Sequence, residues 1–147
     1  MNKNTAEVLS LFENAAKECG HNDNFLKGHT KVNSIALGGK VGFEFGDLRV
    51  VTDECDVIVE HEGSGGVTNL VKYWYCLQND KILKPAHLFH IYHVGKGSDF
   101  KSHTDLWSFV WGLMAPLART KQFKAKMYRY SSQEELSEAL AEFKALL

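Results

Sequence analysis

The spacing of apolar residues divides the chain into four helical segments and a set of strands. Between Val32 and Glu62 short runs rich in apolar residues are separated by glycine and acidic turns, which is typical of short antiparallel strands. Leu88–Val94 and Phe123–Tyr130 are predicted as two further strands. Elsewhere the spacing is that of helices with one apolar stripe. The four stripes begin at Val8, Val67, Leu106 and Leu136.

This pattern predicts an α/β (α+β) fold with the element order α-β-β-β-α-β-α-β-α. The expected architecture is a central mixed sheet of about five strands flanked by helices. The chain has 147 residues, a length that suits one domain with a real core. No internal repeat, low-complexity tract or linker divides it, so residues 1–147 are expected to form a single domain.

Charge and cysteine content restrict the partners and the compartment. Lys and Arg number 17 against 18 Asp and Glu, so there is no global basic field, and a nucleic-acid partner would need a local patch such as Lys96 with Lys101. The three cysteines have neither zinc-type nor CxxC spacing and are expected to be free thiols. Without a signal-peptide pattern or an apolar run of membrane-spanning length, we expect a soluble, cytoplasmic protein without a membrane partner.

Candidate chemistry is concentrated at the end of the strand Asp56–Glu62. Because side chains alternate along a strand, Glu60 and Glu62 share one face about 7 Å apart, while His61 points to the other face. Asp56 shares that face but lies about 13 Å from Glu60, too far for both to hold one ion.

A turn at residues 54–55 would pair residues whose numbers sum to about 109. Asp47 then lies opposite Glu62, and Arg49 lies opposite Glu60. Three clustered carboxylates repel one another unless a cation lies between them, so Asp47, Glu60 and Glu62 form a candidate Mg²⁺ or Mn²⁺ site. The alternative is a solvated sheet face on which Arg49 neutralises Glu60.

The element order, together with an acid before a strand that ends in Glu-x-acid, resembles the PD-(D/E)XK nuclease superfamily over nearly the whole chain. The resemblance implies a restriction-endonuclease-like fold and metal-dependent hydrolysis of DNA. It identifies Asp47 as the first motif acid and Glu60 as the second, and it puts Glu62 where most members carry lysine; some similar members have glutamate there. Members often add an acid from the first helix, for which Glu13 is the best match.

The helix after the hairpin offers a substitute for the missing lysine. Lys72 is the candidate, although the apolar stripe that begins at Val67 predicts that it faces solvent. On the same helix, Asn69 and Tyr73 are one turn apart and resemble the Gln-x-x-x-Tyr element of some nuclease relatives.

The glycine-rich loop after Glu62 is a candidate phosphate-binding segment. Ser64, Gly65 and Gly66 precede a helix, where backbone N–H groups and the helix dipole favour an anion such as a DNA phosphate. The loop is equally well explained as a turn in which Ser64 or Thr68 caps the helix.

Three histidines at positions 87, 90 and 93 suggest a metal cluster at first sight. On a strand, however, His87 and His93 share a face about 20 Å apart while His90 points away, so they cannot bind one ion. A role in strand packing or in lining the site is favoured.

The helix of the third stripe carries two tryptophans beside its apolar residues. Its predicted core residues are Leu106, Phe109, Val110, Leu113, Met114 and Leu117. Trp107 and Trp111, one turn apart, extend this stripe into a wide apolar surface, which suggests a homodimer contact. The alternative is a helix buried on two sides.

Together these features predict a metal-dependent deoxyribonuclease that uses Asp47, Glu60 and Glu62 as ligands. The absence of the motif lysine leaves a second hypothesis open: a non-catalytic protein of the same fold that binds nucleic acid or a protein partner.

Overall fold

A mixed sheet of five strands forms the centre of the computed structural model, which describes residues 3–28, 30–36, 42–63, 68–95 and 100–147. The helices are α1 (Lys3–Glu18), α2 (Thr68–Gln78), α3 (Phe100–Thr120) and α4 (Ser137–Ala145). The strands are β1 (Phe25–Lys27), β2 (Ser34–Ala36), β3 (Gly42–Glu44), β4 (Leu48–Val51), β5 (Asp56–Glu62), β6 (Ala86–His93) and β7 (Phe123–Tyr130).

The central sheet has the strand order β1-β4-β5-β6-β7. Strands β1, β4 and β5 pair antiparallel, whereas β5, β6 and β7 pair parallel through the crossover helices α2 and α3. Strands β2 and β3 form a separate antiparallel hairpin. The predicted α/β class and five-stranded mixed sheet are therefore observed, but five strands rather than three lie between α1 and α2 in the described residues.

The β4–β5 hairpin has a different register from the predicted one. Partner numbers sum to 107 rather than 109, as in Leu48 with Val59, because Thr52 and Cys55 close the turn, one residue earlier on each strand than expected. The shift of two preserves the face on which each side chain lies. Arg49 consequently pairs with Ile58, so the predicted pairing of Arg49 with Glu60 is wrong.

Strand β5 is buried on both faces, as expected for the middle of a sheet covered by helices on both sides. Val57, Val59 and His61 face the layer formed by α1 and α4, whereas Ile58 and Glu60 face the layer formed by α2 and α3. The strand thus separates two apolar cores. Glu60 therefore lies on the side covered by α2 and α3, where it is shielded from solvent.

Helix α2 turns a different face toward the sheet than its apolar stripe predicted. The buried side contains Leu70, Tyr73, Cys76 and Leu77, whereas Val71 is 42% exposed. The stripe that begins at Val67 contains only the aliphatic residues and Trp74. Tyr73 and Cys76 are also buried, and with them the centre of the stripe rotates toward Lys72.

The face of α3 that is buried against the sheet also differs from the predicted one. Trp107, Val110, Met114 and Ala118 are buried, and Trp111 is half-buried. Three residues predicted to be in the core are instead exposed by half or more: Leu106, Phe109 and Leu113. No helix in the described ranges has both the length and the apolarity required to cross a membrane.

Candidate functional site

A glycine turn directs the chain into the candidate site. Gly46 has a φ of +89°, and a Cβ atom there would lie 2.5 Å from the Cγ2 atom of Ile58. Glycine is required for both reasons, since other residues are strained at this φ and lack the space. The turn is also held by Asn33, whose amide donates to the Gly46 carbonyl oxygen at 3.1 Å. Asp47 follows immediately and enters β4.

Asp47 is fixed against the end of β5 by two hydrogen bonds. Its backbone N–H donates to the Val59 carbonyl oxygen at 2.9 Å, and its Oδ2 atom accepts the backbone N–H of His61 at 2.8 Å. Continuing the hairpin register puts Asp47 opposite Glu60, not opposite Glu62 as predicted. Asp47 and Glu60 are therefore neighbours across the β4–β5 hairpin.

Glu60 is buried and is bound by two side chains of α2. Only 1% of the residue is exposed. Its Oε1 atom accepts a hydrogen bond from the Tyr73 hydroxyl at 2.8 Å and pairs with the Lys72 ammonium group. The Lys72 side chain is 9% exposed, so the prediction that it faces solvent is wrong. At ~100° per residue, Lys72 lies about 40° beyond Cys76, at the border of the observed buried face.

Glu62 lies at the end of the same face and has its own partners. Its Oε1 atom accepts a hydrogen bond from the Asn69 amide and lies 3.4 Å from Nε2 of His90. The ring of His90 is fully buried, and its Nδ1 atom accepts the indole N–H of Trp107 at 3.0 Å. Asn69 and Tyr73, one helical turn apart, thus contact Glu62 and Glu60 respectively.

Glu44 is a fourth acid that sequence analysis missed. It ends β3, and its carboxyl group hydrogen-bonds with that of Asp47 and lies within the electrostatic range of Glu60. The only signal in the sequence is an acidic residue two positions before the Gly46 turn. The contact depends on how the β2–β3 hairpin folds over the sheet, which local periodicity does not specify.

Burial, with the charge of neighbouring groups, raises the pKa values of Glu60 and Glu44. Burial raises the pKa of Glu60 to about 7; Lys72 opposes this rise and the charge of Asp47 adds to it. Burial also raises the pKa of Glu44 to about 7. The hydrogen bond of Glu44 with Asp47 and the charge of Asp47 add to this rise. Among the described residues, Lys72 is the cation that lowers the pKa values of both carboxyl groups, and it compensates their burial only in part.

The acids offer oxygen atoms, the kind of donor that Mg²⁺ and Mn²⁺ prefer, but the described side chains are not arranged as a coordination shell. In the described ranges, no three His, Cys, Asp or Glu side chains lie close enough together to hold a metal ion as they stand. A nearby cation would stabilise carboxyl groups with raised pKa values, such as Glu60 and Glu44, because it favours their ionised form. Asp47, Glu60 and Glu44 are the acids that interact most closely, with Glu62 two residues further along β5.

The remaining candidates lie elsewhere. Glu13 forms ion pairs with Lys17 at 2.9 Å and Lys27 at 2.8 Å, on the helix that covers the opposite face of the sheet from Glu60. Its position does not bring it to the acids of β5. Ser64, Gly65, Gly66 and Lys96 fall outside the described residues.

The histidines have the predicted orientations. His90 faces α3 through Trp107, while the ring of His93 lies 5.2 Å from that of Tyr130 on the other face of the sheet. The rings of His90 and His93 therefore lie on opposite faces of the sheet. All three cysteines are free, as predicted.

The predicted homodimer contact through the Trp107 and Trp111 face is not available as an open surface. Trp107 is 7% exposed because it packs within the chain against β6, and Trp111 stacks on it with ring centroids 5.9 Å apart. The stated alternative, a helix buried on two sides, is not observed either, because Leu106, Phe109 and Leu113 are exposed by half or more on another side of α3.

Comparison of the chain with protein-family models, with curated proteins and with solved structures finds no match in any of the three searches.

Proposed function

We propose that this protein is a metal-dependent phosphodiesterase that hydrolyses DNA, a variant of the PD-(D/E)XK nucleases with the lysine moved to the following helix. The observation that carries the proposal is the meeting of Asp47 and Glu60 across the β4–β5 hairpin with Lys72 from α2. In this sequence Glu62 stands at the position where most members of that superfamily carry lysine. Lys72, which pairs with Glu60, would replace that lysine as the cation of the site.

Each side chain has a role that follows from its contacts. Asp47 and Glu60 would hold Mg²⁺ or Mn²⁺, with Glu62 or Glu44 as a further acid. The metal would supply a Lewis acid for the phosphodiester and lower the pKa of the attacking water. Lys72 would neutralise charge that develops on the phosphate oxygens. Tyr73 would keep Glu60 oriented, since its hydroxyl donates to Oε1 at 2.8 Å.

The direct test is cleavage of linear, nicked and single-stranded DNA with Mg²⁺ or Mn²⁺. We expect activity in the wild type, and its loss in Glu60→Gln and Lys72→Met. Asp56→Asn is the matched control, because Asp56 lies on the same strand and face about 13 Å from Glu60 and pairs with Lys84 at 3.1 Å. Wild-type cleavage no greater than that of Glu60→Gln would refute the proposal.

A second candidate is a non-catalytic protein of the same fold that binds nucleic acid or a protein partner. It is favoured by one observation: Lys72 already pairs with Glu60, and no three potential ligands in the described residues are arranged around an ion. Calorimetry separates the two proposals. DNA binding that persists in Glu60→Gln, without Mn²⁺ binding by the wild type, would support the non-catalytic protein.

A further inference from the structure

Behind Glu62 lies a buried chain of hydrogen-bonding groups that runs from α3 through β6. The indole Nε1 atom of Trp107 is 3.0 Å from Nδ1 of His90, and Nε2 of His90 is 3.4 Å from Oε1 of Glu62. Both aromatic residues are buried, His90 completely. The chain thus connects a core helix to an acid at the candidate site.

The first contact fixes the tautomer of His90. An indole N–H is only a donor, so Nδ1 of His90 must accept and therefore carries no proton. The single proton of the neutral ring is then on Nε2, which faces Glu62. A ring protonated on Nδ1 instead would oppose two N–H groups within a buried contact, which costs the hydrogen bond and its desolvation.

The second contact selects one oxygen of Glu62. Nε2 of His90 and the amide of Asn69 both approach Oε1. Two donors from different elements, β6 and α2, therefore converge on one carboxylate oxygen, whereas no hydrogen bond from the described part of the chain reaches Oε2. A carboxylate held in this way is oriented before a ligand arrives.

We propose that Trp107 and His90 are positioning residues that hold the Glu62 carboxylate for ligand binding by fixing His90 as the Nε2–H tautomer. The metal-binding part of this inference rests on the proposed function, whereas the hydrogen-bonded chain is a property of the protein without metal. Neither Trp107 nor His90 touches the substrate in this scheme; both act through Glu62.

The first experiment is NMR of the ¹⁵N-labelled protein without metal, at neutral pH. We expect the His90 ring to carry its proton on Nε2 in the wild type. In Trp107→Phe we expect a mixture of the Nε2–H and Nδ1–H tautomers. The Nε2 proton signal should also shift in Glu62→Gln. A wild-type ring protonated on Nδ1, or an Nε2 proton signal indifferent to Glu62→Gln, would overturn the proposal.

The second experiment is calorimetric titration of the same proteins with Mn²⁺. Removing a group that orients a ligand typically weakens metal binding about tenfold or more, so we expect this loss in Trp107→Phe and His90→Phe. Trp111→Phe is the matched control, since Trp111 is stacked on Trp107 in the same helix. Its dissociation constant should stay within about twofold of the wild type, as for a residue that orients no ligand.

The outcomes separate the two claims. Equal weakening by Trp107→Phe and Trp111→Phe would indicate general disturbance of α3 and overturn the positioning role. If the wild type binds no Mn²⁺ at all, the proposed metal-dependent function fails, and the tautomer together with the Glu62→Gln shift then decides whether the chain of hydrogen bonds exists.

Discussion

The buried carboxyl group of Glu60 makes a quantitative prediction about the pH dependence of stability. Its pKa is raised by burial to about 7, from an ordinary value of 4.5. A carboxyl group with a raised pKa binds its proton more tightly in the folded state. Its contribution to stability is therefore complete below about pH 4.5, the unfolded value, and is lost as the pH rises through about 7.

The size of the effect follows from the two pKa values. Between pH 4.5 and 7 the folded protein retains a proton that the unfolded chain has released, and each pH unit costs about 1.4 kcal/mol. Roughly 3 kcal/mol of unfolding free energy should thus be lost from the wild type relative to Glu60→Gln over this interval. The glutamine variant keeps the shape of the side chain and cannot titrate.

The assay is urea denaturation of both proteins with EDTA present, at several pH values from 5 to 8. The difference in unfolding free energy between them should change in favour of glutamine as the pH rises toward about 7, and should level off above it. Glu18→Gln serves as the control, because Glu18 forms an exposed ion pair with Lys144, and such pairs contribute within about 1 kcal/mol. A difference between wild type and Glu60→Gln that is the same at all pH values would refute the reasoning.

A double-mutant cycle with Lys72→Met tests the partner. Removing one member of a buried pair typically costs about 3 kcal/mol or more, because the other charge is left unpaired. We expect the coupling between Glu60 and Lys72 to be large at pH 8 and to fall toward pH 5, where Glu60 is protonated. A coupling below about 0.5 kcal/mol at pH 8 would mean that the pair is exposed in solution.

Other predictions concern the turn, the metal and α3. Gly46→Ala should destabilise the protein by about 2 kcal/mol or more in urea denaturation, since it combines a positive φ with contact at Ile58. Mn²⁺ should raise the melting temperature of the wild type and not that of Asp47→Asn, as measured by scanning calorimetry. Met114→Ala should cost about 2–5 kcal/mol, whereas Phe109→Ala should cost less than about 1 kcal/mol because Phe109 is 65% exposed.

The sequence predicted the architecture of the sheet better than its contacts. Strand alternation has a period of two, so an error of two in the hairpin register left Asp47 and Glu60 on the correct face. The error came from the turn, since the position of a two-residue loop among Asp53, Glu54 and Cys55 is not specified by alternation. A shift of one would have put the acids on opposite faces.

The two helix faces were wrong for a common reason. A helix with apolar or aromatic residues around most of its circumference has several stripes of similar quality, and periodicity alone does not choose among them. In α3 the choice is made by β6, whose His90 offers an acceptor to the Trp107 indole. In α2 it is made by Glu60, which needs the hydroxyl of Tyr73 and the charge of Lys72.

This dependence points to a link between the site and the helix orientations. The buried faces of α2 and α3 both make polar contacts that lead to acids of β5: Tyr73 to Glu60 directly, and Trp107 to Glu62 through His90. A buried acid without these partners would cost several kcal/mol, so the partners are expected to be formed whenever the core is formed. The packing of the helices on this face of the sheet is therefore linked to the polar side chains of the candidate site. A pattern of apolar residues does not include these polar contacts and so could not predict the helix orientations.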